Sequence, residues 1–263
     1  MIKLVQILIE GALVGLVYGL VAISFVVIYR ASRIVNLAQG EVLVIGALLL
    51  WSFTAGMKAA GWEVPLVISL AMTLAACIAF GLILERFVFR PLISQPAFAI
   101  FMASVALLIM LRGTAQLVWT ADTRAFPAIL PEGAFHVGPF LVSTPLALGG
   151  LFSVLLAIGL HAFFTRTRQG LRLAAVAEDH RTAMSLGVSV RSAIATAWIL
   201  GTLVATAAAI VLLSGRVVSL EVAHIGFKAL PVALLGGLES IRGAPLAGIL
   251  IGIGEALAMA YLD

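Results

Sequence analysis

The chain has 263 residues, of which 63% are apolar or aromatic and only 11% are charged, with a formal net charge of +4. A mean hydropathy of +1.20 is more than a compact soluble monomer of this size can hide, since ordinary domains carry ~25% charged residues. The composition therefore excludes a soluble globular domain and defines a polytopic membrane protein. The single Cys77 excludes a disulfide scaffold and a multi-Cys metal site, and His136, His161, His180 and His224 show no ligand spacing.

A hydrocarbon core of ~30 Å needs about 20 apolar residues per helix. Seven stretches meet or approach that length, at 4–29, 41–57, 64–86, 97–119, 146–165, 193–214 and 229–262. Their apolar runs are continuous rather than alternating, which excludes a transmembrane barrel. The expected fold is an all-α bundle of seven to eight spans forming a single domain over 1–263.

The first span carries Gly11, Gly15 and Gly19 on one stripe, where small residues let helix backbones approach closely in lipid. Packing within the same chain is the favoured use of that stripe. Glu10 lies near enough to the interface to snorkel, whereas Arg112, deep in the fourth run, and Glu255 in the last each need a partner or water. A structural ion pair is preferred for Arg112 over a role towards solute. Asn36, Gln39 and Glu41 stand beside Gly40 at the start of the second run. Polar side chains at a broken backbone are usual where a segment lines a cavity. The last run is interrupted at Gly236, Gly237, Ser240 and Gly243, a second break in the other half of the chain, and two such breaks point to a translocation path. Ordinary polar loops between spans remain the simpler alternative at both places.

Four prolines between 127 and 145 keep the 120–145 segment from forming a long helix and leave it an external loop. The segment 166–192 is Ala-rich and helix-favouring in its middle, with Gly170 read as a break before it and Gly187 as its stop. Leu173, Val176, Ala177, Ala183, Met184 and Leu186 give it a narrow apolar stripe, so a short surface helix is expected. It would rest on headgroups, dock into a partner's groove, or simply be solvated. Nine basic residues follow the first, third and fifth spans against five on the opposite side, which puts this loop in the cytoplasm and the N-terminus outside.

Three stretches then carry a resemblance. Arg166-Thr-Arg-Gln-Gly170 with Ala175-Val-Ala-Glu-Asp179, Ala183 and Gly187 resembles the cytoplasmic loop of branched-chain amino acid ABC permeases of the LivH/LivM type. Val35-Asn-Leu-Ala-Gln-Gly-Glu41 and Leu235-Gly-Gly-Leu-Glu-Ser-Ile-Arg-Gly-Ala244 are similar to two further segments of that family, in the same order. Gln39 stands where many relatives carry His, Glu239 where Gly is usual, and Arg242 where Pro is usual.

The resemblance implies an inner-membrane permease of a binding-protein-dependent importer for branched-chain or other hydrophobic amino acids. Its partners would be two ATP-binding subunits, a second permease, identical or homologous, and an external solute-binding protein, with the lipid bilayer around it and no nucleic acid. It also implies that the 166–192 helix couples to an ATPase, with Glu178, Asp179, Ala183 and Gly187 as docking surface and Arg172 and Arg181 as charged rim. No Gly-x-x-x-x-Gly-Lys-Ser/Thr motif occurs, so ATP is expected on partner subunits, with no cofactor, metal or catalytic residue in this chain. The chain stops at Tyr261-Leu-Asp263 where the resemblance implies another span and a basic tail, and a truncated sequence is therefore expected. Permeases for urea or amides, aromatic acids or sugars are alternative substrates, and an ATP-independent secondary transporter is the alternative class.

Overall fold

The computed structural model describes residues 2–92 and 95–261, and the side chains of Ile2, Ala97, His180 and Arg181 lie outside the described set. Among the described residues the architecture is all-α, with seven helices long and apolar enough to cross a membrane. Helix α1 (Ile2–Ser32) is roughly 46 Å long by helical rise, longer than the hydrocarbon core. From Leu20 to Ile28 every side chain is buried, so α1 is the central post of the bundle.

The chain leaves α1 through Arg33, whose φ of +57° turns it back. Residues 33–38 run without helix into the interior, and α2 (Gln39–Trp51) begins beside the middle of other helices. At that start, Gln39 Nε2 donates to the Gly201 carbonyl (3.3 Å), and Gly40 lies against Ala223 and Gly226. A Cβ on Gly40 would lie 2.1 Å from the Ala223 oxygen, so only glycine permits this crossing. Helix α2 is buried nearly all round, which is why its sequence is apolar on every face. It widens into a π-helical turn at Ser52–Gly56, followed by α3 (Met57–Ala59). There Ser52 and Thr54 hydroxyls donate to the carbonyls of Leu48 and Leu50.

Helix α4 (Leu66–Ile83) starts after Pro65 and passes through a π-helical segment, Leu84–Phe89, into a 3₁₀ turn at Arg90–Leu92. The fully buried Glu85 is held there by Arg90 in two parallel bonds of 2.9 and 2.7 Å. Helix α5 (Ala97–Trp119) is followed by the proline-rich loop. That loop contains short strands which the sequence reading did not anticipate. Strand β1 (Arg124–Ala125) pairs antiparallel with β4 (Val217–Val218), while β2 (Ala134–Val137) and β3 (Phe140–Ser143) form a hairpin turned by Gly138 and Pro139. Gln6 on α1 bonds to Leu141 in the hairpin, and the Ser214 hydroxyl accepts the Ile129 and Leu130 amides. One end of the bundle thus gathers the N-terminus, the 120–143 loop and residues 214–218.

Helix α6 (Thr144–Arg166) leads to the other end, where α7 (Arg168–Glu178) and α8 (His180–Ser185) lie before α9 (Val190–Leu213). In α9, Trp198 is fully buried and stacks on Phe89 at 4.1 Å between ring centroids. A 3₁₀ turn, Leu220–His224, precedes α10 (Ile225–Gly236), and a six-residue turn separates α10 from α11 (Gly243–Tyr261). The interruption expected in the last run is therefore a true helix break. Gly237 takes a φ of +85°, and Gly236 and Gly243 meet backbone to backbone.

The glycine stripe of α1 finds its partner in α11, antiparallel to it. Gly11 faces Gly252 and Ala256, Gly15 faces Gly248, and Gly19 faces Pro245. Two small-residue stripes in one chain thus interlock, and dispersion between bare backbones holds them.

Candidate translocation and coupling sites

Of the residues expected to line a path at the first break, Asn36 and Gln39 are spent inside the protein. Asn36 Nδ2 donates to Gln39 Oε1 (3.0 Å), and Asn36 Oδ1 accepts the Ala38 amide (3.1 Å). Together with the Gln39–Gly201 bond these contacts tie the end of the unwound 33–38 segment to α2 and α9. Both side chains are fully buried and brace the segment.

Glu41 is different. Its carboxylate is buried at the start of α2, with one oxygen 3.9 Å from Arg112 and the other, Oε2, lacking any hydrogen-bond partner. Arg112 reaches in from α5 and also binds Glu221 at 2.5 Å, while Glu221 takes His224 Nε2 at 2.8 Å. The break before α2, the fourth span and the 3₁₀ turn before α10 thus contribute to one charged cluster. Arg112 is in ion pairs, as preferred from the sequence, but the cluster opens outward. Glu221 is 70% and His224 57% exposed at the side chain. The sequence reading singled out neither Glu221 nor a role for His224. The available signal was the requirement that a deep arginine meet opposite charge.

A second pair lies close by. Lys228 on α10 binds Glu255 on α11 at 2.5 Å and sits over the Tyr18 ring at 5.7 Å. Between the two sets is a cavity of about 380 Å³, with Tyr18, Arg216, Glu221, His224 and Lys228 at its polar edges and Leu212, Val222 and Ile225 among its apolar lining. Charges of both signs around an apolar floor can hold a zwitterion with an aliphatic tail.

At the opposite end, the 166–192 segment forms two helices instead of one, broken at Asp179, whose backbone is extended. Asp179 caps α8, accepting the Thr182 amide (3.2 Å) and hydroxyl (3.1 Å). Gly170, expected as a break, is helical; it is there because a Cβ would strike the Phe163 carbonyl at 2.2 Å. Gly187 does end α8, with φ of +78°. Leu173, Val176 and Ala183 face the bundle and are buried, so Ala183 offers no surface to a partner in this chain's structure. Leu171, Arg172, Glu178, Asp179, Met184, Leu186 and Gly187 are among the outward residues. The side chain of Arg181, expected at the rim, lies outside the described residues.

Arg33 ties this segment to the second helix break. Its guanidinium binds Glu239 in the α10–α11 turn, pairs with Glu178 of α7 at 3.7 Å, and donates to the Ala177 carbonyl at 3.3 Å. The hydrogen bond to Glu239 holds the guanidinium pKa above its ordinary range. Gly236 is half-buried, and Gly237 and Ser240 are exposed in that turn, where Ser240 Oγ accepts the Gly243 amide at 3.0 Å. The surface helices and the broken helix are therefore linked through one side chain. Arg33→Gln is expected to leave the chain folded but to loosen the α7–α8 segment from the α10–α11 turn, read as faster limited proteolysis between residues 166 and 189. Such exposed pairs contribute only ~1 kcal/mol to stability, so an unchanged melting temperature with faster cleavage is the outcome to look for.

The comparisons with known proteins agree with this geometry. Residues 7–263 match the family model described as branched-chain amino acid transport system / permease component. The chain belongs to that family. Among curated members, the high-affinity branched-chain amino acid transport system permease protein BraD of Pseudomonas aeruginosa is 30% identical over 260 residues, covering 95% of this chain and 85% of BraD. LivH of Escherichia coli K12 is 28% identical over 266 residues, covering 97% and 85%. A probable LivH of Methanocaldococcus jannaschii is 26% identical over 270 residues, covering 98% and 82%. No solved structure gives a significant match. A permease family and seven apolar helices make this a multi-pass membrane protein and a transport subunit.

Proposed function

We propose that the chain is the membrane-spanning subunit of an ATP-driven importer that carries branched-chain or other hydrophobic amino acids across the inner membrane. ATP is bound and hydrolysed by two partner subunits, since the sequence has no phosphate-cradling loop of its own. A second permease completes the path, and an external binding protein delivers solute to the end bearing the 120–143 loop. The α7–α8 surface faces the cytoplasm, where Leu171, Met184 and Leu186 would enter a groove of the ATP-binding subunit between Arg172 and Glu178.

The observation that carries this reading is the cavity between the Glu221–His224 and Lys228–Glu255 pairs. An α-carboxylate has Lys228 to meet, an α-ammonium has Glu221, and an aliphatic side chain has Leu212, Val222 and Ile225. Uptake of radiolabelled leucine by cells expressing the chain with its neighbouring transporter subunits tests it. Lys228→Met should lower uptake at least about tenfold, the scale of losing one charge-assisted contact of 1.5–3 kcal/mol. Uptake indifferent both to Lys228→Met and to removal of the ATP-binding subunits would sink the proposal.

A further inference from the structure

At the α7–α8 end of the bundle, a cavity of about 580 Å³ opens between the last turn of α1, α6 and the α10–α11 turn. Tyr29, Arg30, His161, Leu234 and Arg242 are among its lining residues. Two guanidiniums, those of Arg30 and Arg242, line it together with the Glu239 carboxylate, and Arg166 stands within electrostatic reach of His161 on the same wall. Arg30 lies over the Phe164 ring at 4.9 Å, which fixes its position. Among the described residues none of the three arginines forms a salt bridge, and the carboxylate nearest to hand, Glu239, is taken by Arg33. Glu239 acts on Arg30 while bonded to Arg33, so one carboxylate faces four guanidiniums, an excess of like charge that an added anion relieves.

The surroundings say what kind of anion. Arg166 ends a membrane-spanning helix and Arg30 sits in the last turn of another, so the cluster lies at headgroup height. From the charged rim the wall continues as apolar surface: Leu234 and Leu235 on α10, and Ile158 on α6 one turn from His161, are all exposed. A polyanionic headgroup with acyl chains fits that sequence of basic rim and greasy wall, whereas a free anion would leave the wall unmet.

We propose that this cavity is a binding site for the phosphate of an anionic phospholipid, held by Arg30, Arg166 and Arg242, with an acyl chain along Leu234 and Ile158. The site is separate from the solute cavity beside Lys228, and Gly237 and Ser240 of the second helix break belong to its lining. The full chain, purified in mild detergent and stripped of lipid, is to be titrated with dioleoylphosphatidylglycerol and dioleoylphosphatidylcholine and read by native mass spectrometry. Phosphatidylglycerol should be retained about tenfold better, because its phosphate charge is not offset by a choline as it is in phosphatidylcholine. Arg166→Gln with Arg242→Gln should remove most of that preference, while Lys3→Gln with Lys58→Gln, at the opposite end, should preserve it. If the first pair fails to fold, Arg242→Gln alone, on an exposed turn, should still reduce the preference about threefold. Equal retention of the two lipids, or equal loss in both paired variants, overturns the site. Complete displacement of the lipid by inorganic phosphate assigns it to a free anion and overturns the lipid.

Discussion

Gly248→Leu should leave no detergent-stable protein. At this position α11 lies against α1 with nothing between the two backbones: a Cβ on Gly248 would stand 2.2 Å from the Gly15 carbonyl oxygen and 2.9 Å from the Gly19 nitrogen. The obstructing atoms are backbone, so no rotamer change can make room, and the helices must separate along the whole seam. Ordinary overpacking costs 1–3 kcal/mol. Here the loss adds the contacts at Gly11 and Gly252, where an added Cβ would meet its nearest neighbour at 2.8 and 2.3 Å. Gly248→Ala is the graded control and should lower the melting temperature without abolishing assembly. Fluorescence-detected size exclusion and a thermal melt in one detergent measure both. A monodisperse, unshifted Gly248→Leu protein would show that the seam is not what holds α11.

Arg112→Gln is expected to be nearly as damaging, for an electrostatic reason. Removing the guanidinium leaves Glu41 buried with no positive partner from α5, and its Oε2 is already without a hydrogen bond. Breaking one side of a buried pair costs about 3–5 kcal/mol, because the remaining charge stays buried and uncompensated. The double variant Glu41→Gln with Arg112→Gln removes both charges and should recover most of the stability. Leucine uptake should stay low in the double variant, since Glu221 then lacks the residue that positions it. Rescue of stability without rescue of uptake separates folding from transport at this cluster. Recovery of both would reduce it to a structural pair.

The spans were legible because lipid imposes a length, and runs such as 97–119 and 146–165 meet it within a few residues of α5 and α6. The break in the last run was legible for a related reason: between Gly236 and Gly243 the apolar run gives way to Gly237, Glu239, Ser240 and Arg242. The use of polar residues was not. Asn36 and Gln39 carry the composition of a path lining, yet they bond to each other, to the Ala38 amide and to the Gly201 carbonyl, partners visible only once the 33–38 segment is seen inside the bundle. Gly170 misled in the same way. Glycine's freedom suggests a break, but here its missing side chain admits the Phe163 carbonyl. Lys228 counted from sequence as an external charge, and only the folding of α10 back against α11 brings it to Glu255. The likeness to permease segments located the coupling loop, and Arg33, which joins it to the α10–α11 turn, stood outside every motif.

The unequal burial of the helices carries a consequence for the solvent. The most apolar windows of α4 and α5 are each only 22% buried within the chain, against 72% for α1. That outer wall is left to acyl chains or to the second permease proposed above, and water does not supply the force that presses it inward. Its cohesion is set by the thickness and lateral pressure of the bilayer as much as by side-chain packing. Solubilisation replaces that medium, so α4 and α5 are the elements whose position a short-chain detergent will disturb first, while the glycine-sealed post at the centre remains intact.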